Sequence, residues 1–352
     1  MRVALDATPL VLTSGGLTRY TAELSRALAT AFPEDDFVLL SDQRFRVPLP
    51  ARGNLHAGGS PRNRLERKWW LWGVQREMMR QGCELFHGTD FAVPYAPLRP
   101  SVVTVHDLSP WMDPGWHEGA ERVRRRTPAL LGLRIATMTI TPTEAVRAQV
   151  IDRFRLPASR VVAVPHGASE AFRPVEAQAG SPYFLYAGTL EPRKNLDTIL
   201  NAWREVRRGH PVDLVLAGRR RADFHELPPE PGLRLAGEVT DEELARLYSG
   251  ALAFLYPSHY EGFGLPVLEA MHCGACVFIS KDVALREIAG CAALSLGSVK
   301  EWAGAMSMAA SDSAWIAGWR AKGLARAKDF SWEKAARLTR QVYLEAQQRF
   351  YF

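Results

Sequence analysis

Short apolar runs and amphipathic stretches alternate along nearly the whole chain. Runs at 2–6, 37–40, 84–87, 102–106, 138–141 and 161–164 have the length and composition of buried strands, and 20–32 and 144–154 carry helical apolar spacing. Gly, Pro and Ser break this rhythm at 166–183, which reads as a linker. The alternation restarts at 183–187, 213–217, 233–236, 251–256 and 276–280, and a last helical pattern fills 331–349. Strands alternating with helices predict parallel sheets covered on both faces. The expectation is therefore an α/β chain of two doubly wound, Rossmann-like domains. These would be residues 1–167 and 183–330, joined by a linker at 168–182, with a terminal helix at 331–352 able to cross back to the first domain. Two such sheets facing each other would bring their switch-point crevices to one central cleft.

Composition narrows this little. At 352 residues, 47% apolar and 23% charged, the chain has room for two cores and no disordered or fibrous bias. It holds no uncharged apolar run of about 18 residues, so no membrane span is expected. Asp6 interrupts the N-terminal apolar run, which makes a poor signal peptide. Four cysteines are too few for a disulfide framework. A cytoplasmic location follows, with the inner face of the cell membrane as a variant of it. The net charge of +6 suits an anionic partner, whether phosphate-bearing substrate, membrane surface or nucleic acid. No RNA-binding aromatic signature or helix-turn-helix is present, so nucleic acid is not expected.

The richest stretch is HYEGFGLPVLEAMHCGAC, residues 259–276. A strand at 252–256 precedes it, Pro266 suits the first position of a helix, and Gly274 suits its end. The order is strand, glycine-bearing loop, helix N-terminus, which presents backbone N–H groups to an anion. Gly262 and Gly264, with Phe263 and Leu265 between and after them, let the backbone approach a ligand. Glu261 in the loop and Glu269 in the helix can each accept hydrogen bonds from paired sugar hydroxyls. Either glutamate alone reads as a solvated turn or helix residue. In register with the glycines and Pro266, together they read as a site. Cys273 and Cys276 form a Cys-x-x-Cys, but Cys273 follows the helix instead of opening it, and no second ligand pair completes a zinc set. Both are expected to be core residues.

These residues resemble the signature of glycosyltransferase family 4, retaining enzymes of the GT-B fold, and the resemblance covers most of the chain. Residues 15–20 (GGLTRY) are similar to the family's glycine loop, 105–110 (VHDLSP) to its His-Asp turn, 164–167 with 172–174 to the segment entering the linker, and 186–195 (YAGTLEPRKN) to its phosphate loop. The resemblance implies that Lys194, with Arg193 beside it, neutralises the donor diphosphate. It implies that Glu269 holds the ribose, Glu261 the donor sugar, and that Gly16 lets a loop approach the phosphate. His106 would contact the sugar or reaction centre, or be structural, and Asp107 would orient it or cap the following turn. Many relatives carry arginine where this chain has Thr189, so Arg193 or the run Arg219, Arg220, Arg221 is the expected substitute. No D-x-D triplet occurs and no carboxylate is an obvious covalent nucleophile. The expectation is metal-independent, front-face transfer without a cofactor.

The patterns most resemble bacterial mannosyltransferases of surface-polysaccharide assembly, which implies GDP-mannose as donor, with UDP-sugars second, and a glycan or lipid-linked glycan as acceptor. Residues 62–80, RNRLERKWWLWGVQREMMR, and the basic run 122–126 could meet an anionic membrane as peripheral contacts. The alternative, which the resemblance favours, is a helix packing Trp69, Trp70 and Trp72 inward while arginines face water. Rival functions on this architecture are a nucleotide-sugar 2-epimerase and a non-catalytic subunit. The P-R-K-N loop and the two glutamates speak for transfer.

Overall fold

A computed structural model describes residues 1–11, 15–43, 45, 53–117, 119–176 and 180–351. The chain divides into two compact units, Met1–Gly167 with Ser331–Phe352, and Ala168–Phe330.

The first unit contains β1 (Arg2–Asp6), α1 (Gly16–Ala31), β2 (Asp36–Leu40), β3 (Leu55–Ala57), α2 (Val74–Gln81), β4 (Leu85–Gly88), β5 (Ser101–Thr104), α3 (Glu121–Gly132), β6 (Met138–Thr141), α4 (Glu144–Phe154) and β7 (Val161–Ala163). Among the described residues its sheet is parallel throughout, in the order β3-β2-β1-β4-β5-β6-β7. Val3, Leu5, Phe37, Leu39, Phe86, Val103 and Ile140 are buried in it. Covering by helices on both faces is why these strands read as unbroken apolar runs. Local signals set the helix ends. Thr143 caps α4, accepting from Val146 N at 3.1 Å, and Arg155 ends it at φ 52°.

The second unit contains β8 (Tyr183–Ala187), α5 (Leu196–Arg207), β9 (Asp213–Ala217), β10 (Leu233–Gly237), α6 (Asp241–Gly250), β11 (Ala253–Tyr256), α7 (Leu265–His272), β12 (Val277–Ile279), α8 (Val283–Ala289), β13 (Leu294–Ser295), α9 (Val299–Ser311) and α10 (Ser313–Ala327). Its sheet is again parallel, in the order β10-β9-β8-β11-β12-β13 among the described residues. The order reverses between β8 and β11, as it does between β1 and β4 in the first unit. In such sheets ligands bind at the carboxyl ends of the strands beside that reversal.

The last helix, α11 (Trp332–Tyr351), belongs to the first unit. Tyr343 Oη and His87 Nδ1 are 2.7 Å apart, and Arg340 Nε donates to Asp35 Oδ2 at 2.6 Å. Trp332 stacks on His166 with ring centroids 5.5 Å apart. A Cβ on Gly167, which follows β7, would lie 2.2 Å from Trp332 N, so the start of α11 packs against this position only when it is glycine.

Several expectations need correction. The predicted linker 168–182, of which 177–179 lie outside the described residues, packs with the second unit. Phe172 is buried in that unit's core, and Val175 N donates to Ser249 Oγ at 3.2 Å. The strand expected at 102–106 ends at Thr104, which leaves His106 in the following loop. Residues 62–80 do not form one helix: turns lead into a π-helical turn, Trp69–Gly73, and then α2. Gly73 allows this, since a Cβ there would meet Glu66 O at 2.1 Å. The run 122–126 lies in α3. Helix α7 begins at Leu265, so Pro266 is its second residue. The end of the expected 331–352 helix, Phe352, lies outside the described residues.

Candidate active site

The loops after β8 and β11 meet at the reversal of the second sheet. After β8 the chain turns at Gly188 (φ 146°), makes a 3-10 turn at Pro192–Lys194, and enters α5 through Asn195 in the left-handed region (φ 54°). Asn195 Nδ2 donates to Pro257 O at 3.1 Å and His259 N to Arg193 O at 3.0 Å, which lock this loop to the one after β11. It is also zipped to the loop after β9: Leu190 N donates to Arg219 O at 2.9 Å and Arg221 N to Leu190 O at 3.0 Å.

This scaffold gathers a buried row of alternating charges. Lys194 Nζ donates to Glu261 Oε1 at 2.5 Å and to Tyr256 Oη at 3.0 Å. Arg193 Nη1 donates to Tyr260 O at 2.7 Å and lies 3.4 Å from Glu261 Oε2, while its Nη2 donates to Glu191 Oε1 at 2.9 Å. Glu191 Oε2 in turn accepts from Arg221 Nη1 at 2.7 Å. Glu191, Arg193, Lys194 and Glu261 are each less than 10% exposed. Burial alone would raise the Glu261 carboxyl, but the Lys194 ammonium and the Arg193 guanidinium outweigh it and hold Glu261 down at about 2. Burial, aided by Arg193, lowers the Lys194 ammonium from its ordinary value, and Glu261 opposes this. Such a cluster is poised to hold an anion, because cations kept in a dry site act on a ligand more strongly than in water.

Behind Glu261 the loop turns through buried Gly262 and Phe263 to Gly264, whose φ of 90° only glycine adopts without strain. A Cβ at Gly264 would also lie 2.5 Å from Leu285 Cδ2. Phe263 packs edge-on against Phe330 at 6.1 Å, so its side chain is core and its backbone is the part turned to the loop. Leu265 opens α7, half-buried. Glu269 is buried on the same helix, with Tyr248 Oη 3.4 Å from Oε2. Asp282 caps α8, accepting from Leu285 N at 2.9 Å, and its Oδ2 lies 3.4 Å from Glu261 N. Burial and the Glu261 charge push its carboxyl up to about 6.

Glu191, Tyr256 and Asp282 escaped the sequence reading. Glu191 stood inside the quoted G-T-L-E-P-R-K-N run and was signalled only by being a charge at the end of a buried strand. Thr189 contributes its carbonyl to Tyr186 Oη at 2.9 Å. Of the expected substitutes, Arg193 shares Glu261 with Lys194, whereas Arg221 reaches Glu191 and Asp223. Burial pushes the Cys273 and Cys276 thiols up to about 12, as core residues require.

The remaining expected site residues lie in the first unit. Gly16 is exposed as the first residue of α1. His106 Nε2 lies 2.6 Å from Thr89 O, and since a carbonyl only accepts, this nitrogen carries the proton. Tyr20 of α1 packs edge-on against the His106 ring at 4.7 Å. Asp107 does not orient His106: its Oδ1 accepts from Ser109 N at 2.9 Å and Ser109 Oγ at 2.6 Å and caps the turn.

Known proteins resemble this chain over its whole length. The family description Glycosyltransferase Family 4 matches residues 14–172, and Glycosyl transferases group 1 matches residues 168–293. The O-antigen chain mannosyltransferase B of Escherichia coli is 32% identical, over 97% of this chain and 99% of that protein. A glycogen synthase of Mycobacterium tuberculosis is 27% identical, over 98% of this chain and 94% of its own. The solved structure of Anabaena HepE with UDP-glucose shares the fold, with a TM-score of 0.73 at 18% identity over 98% of this chain and 99% of that one. With a full-length relative at this identity and a paired parallel-sheet architecture to match, the chain belongs to glycosyltransferase family 4 and is a hexosyltransferase of the GT-B fold.

Proposed function

We propose that the chain transfers mannose from GDP-mannose to a glycan or lipid-linked glycan in surface-polysaccharide assembly, with retention of configuration and without a metal ion. The observation that carries this reading is the Arg193–Lys194 pair, buried at the switch point and faced by Glu261. As the bond from the sugar C1 to the phosphate oxygen breaks, the leaving diphosphate gains negative charge. Lys194 and Arg193 supply the positive charge that stabilises it, in the role a metal ion plays elsewhere. The diphosphate then competes with Glu261 for these cations. Glu261 turns to the donor sugar's hydroxyls, and Glu269 accepts from the ribose. The acceptor oxygen bonds C1 on the face the diphosphate leaves, and the acceptor proton passes to the departing diphosphate oxygen. Full-length similarity to an O-antigen mannosyltransferase supports mannose as the sugar.

Membrane contact is part of the same proposal. Trp69 is buried and Trp70 packs edge-on against Phe86, so the inward-packing alternative holds for these two. Trp72, however, is 56% exposed, near exposed Leu65, Leu71 and Met79 in sequence, and Arg64, Arg67, Lys68 and Arg76 are exposed among them. An apolar and cationic surface of this kind suits an anionic bilayer holding a lipid-linked acceptor. No helix among the described residues is long and apolar enough to cross a membrane.

The reaction is tested by incubating the enzyme with GDP-mannose and a mannose-terminated acceptor in EDTA, then assigning the new linkage by NMR. An α-linked mannose supports the proposal. A β-linked product, or transfer that appears only with added metal, contradicts it.

A further inference from the structure

A cavity of about 810 Å³ lies at one end of the first unit's sheet. Arg134, Thr137, Arg160, Gln348, Arg349 and Phe350 line it. Thr137 and Arg160 directly precede β6 and β7, so the cavity sits at the strands' N-terminal edge, against the last turn of α11. The loop carrying His106 leaves the opposite edge. Within the first unit, the cavity and that loop therefore lie at opposite ends of the sheet.

Among the described residues, three arginines and no carboxylate line this space. Arg160 is buried, with Nε donating to Thr137 O at 3.1 Å and Nη2 to Ala136 O. These carbonyl bonds fix the plane of the guanidinium, and no carboxylate among the described residues pairs with it. Of the three, Arg349 alone has an ion-pair partner among the described residues, Glu345 at 2.7 Å. Burial and the like charges of Arg134 and Arg349 lower the Arg160 guanidinium from its ordinary value. The final carbonyls of α11 offer some negative potential here. Yet the described bonds of Arg160 and Arg349 go to Ala136, Thr137 and Glu345 and not to those carbonyls. Helix capping thus does not account for the cluster.

We propose that this cavity binds a phosphate-bearing anion, its charge held by Arg134, Arg160 and Arg349 and its organic part lying against Phe350. Planar guanidinium forks match phosphate oxygens two at a time, and Thr137 and Gln348 add neutral hydrogen-bonding groups. The volume falls in the range of small-ligand sites, roughly 300–1,000 Å³.

The test uses the full chain carrying Lys194→Ala, which removes the main diphosphate ligand of the transfer site, and titrates inorganic pyrophosphate calorimetrically in EDTA. Adding Arg134→Gln and Arg349→Gln should weaken binding by at least about tenfold, as loss of charge-assisted phosphate bonds predicts. Arg160 is kept, because its removal strips two buried carbonyls of their donor. In the otherwise wild-type chain the same two substitutions should leave melting temperature and transfer activity unchanged. A second arm sediments the protein with phosphatidylglycerol vesicles. Sedimentation lost in the double variant identifies a lipid headgroup as the anion; sedimentation retained while pyrophosphate binding is lost identifies a soluble phosphate. If pyrophosphate affinity and sedimentation are both unchanged by the two substitutions, the proposal is overturned.

Discussion

Asp6 and Glu261 are both buried carboxyls at the carboxyl ends of strands or just beyond, yet their surroundings drive them in opposite directions. Burial pushes Asp6 up to about 7, against hydrogen bonds from Thr8 N and Oγ1 at 3.1 and 2.7 Å. Glu261 is held at about 2 by its two cations. The folded value of Glu261 lies below its ordinary 4.5, so its contribution to stability is full above that pH and is lost as pH falls toward 2. The folded value of Asp6 lies above its ordinary 3.8, so its contribution is full below that pH and is lost as pH rises through about 7. Asp6→Asn should therefore gain stability relative to wild type as pH rises from about 5 to about 8. Thermal melts of both proteins across that range check this, and a pH-independent difference would contradict it. Lys194 and Glu261 stood out in the sequence as candidates because each lies in a run with glycine and proline at the end of a predicted strand. Glu191, Tyr256 and Asp282 could not, because their roles come from neighbours distant in the chain, such as Arg221 for Glu191 and Lys194 for Tyr256.

At the scale of elements, the strands buried on both faces were the most legible, since their apolar runs need no partner to be recognised. Strands β3 and β13 are too short to show a period. Helix α3 hid behind its run of arginines, and the π-helical turn at Trp69–Gly73 depends on a close approach that only Gly73 permits. The docking of α11 rests on a buried polar chain from Tyr20 Oη to Thr104 Oγ1 at 2.9 Å, on to His87 Nε2 at 2.8 Å, and across that ring to Tyr343. Burial lowers the His87 imidazole to about 3, so it works there as a neutral ring. Tyr343→Phe would leave a ring nitrogen of His87 without a partner and should cost about 1–3 kcal/mol in urea unfolding. A change near zero would mean that apolar packing alone seats the helix.

For the whole molecule, the two-sheet plan followed from the alternation of patterns, but the allocation of segments did not. Nothing local to 168–182 says that Phe172 is buried with the second sheet. Trp72 and Leu71 are exposed on the first unit. Protein should sediment with phosphatidylglycerol vesicles at low salt, and Trp72→Ala with Leu71→Ala should reduce the bound fraction several-fold. Equal binding by wild type and variant would assign that surface to some other contact.

Whether Lys194 and Arg193 hold a guanosine diphosphate without a metal is read out by a thermal-shift panel of GDP, UDP, ADP and dTDP in excess EDTA. A ligand at about 100 times its Kd adds roughly 2.7 kcal/mol to a protein that binds it when folded. The expected result is a rise in melting temperature with GDP, absent from Lys194→Ala protein that still melts cooperatively. A shift with UDP in place of GDP, a shift that survives Lys194→Ala, or no shift with any of the four would contradict the account.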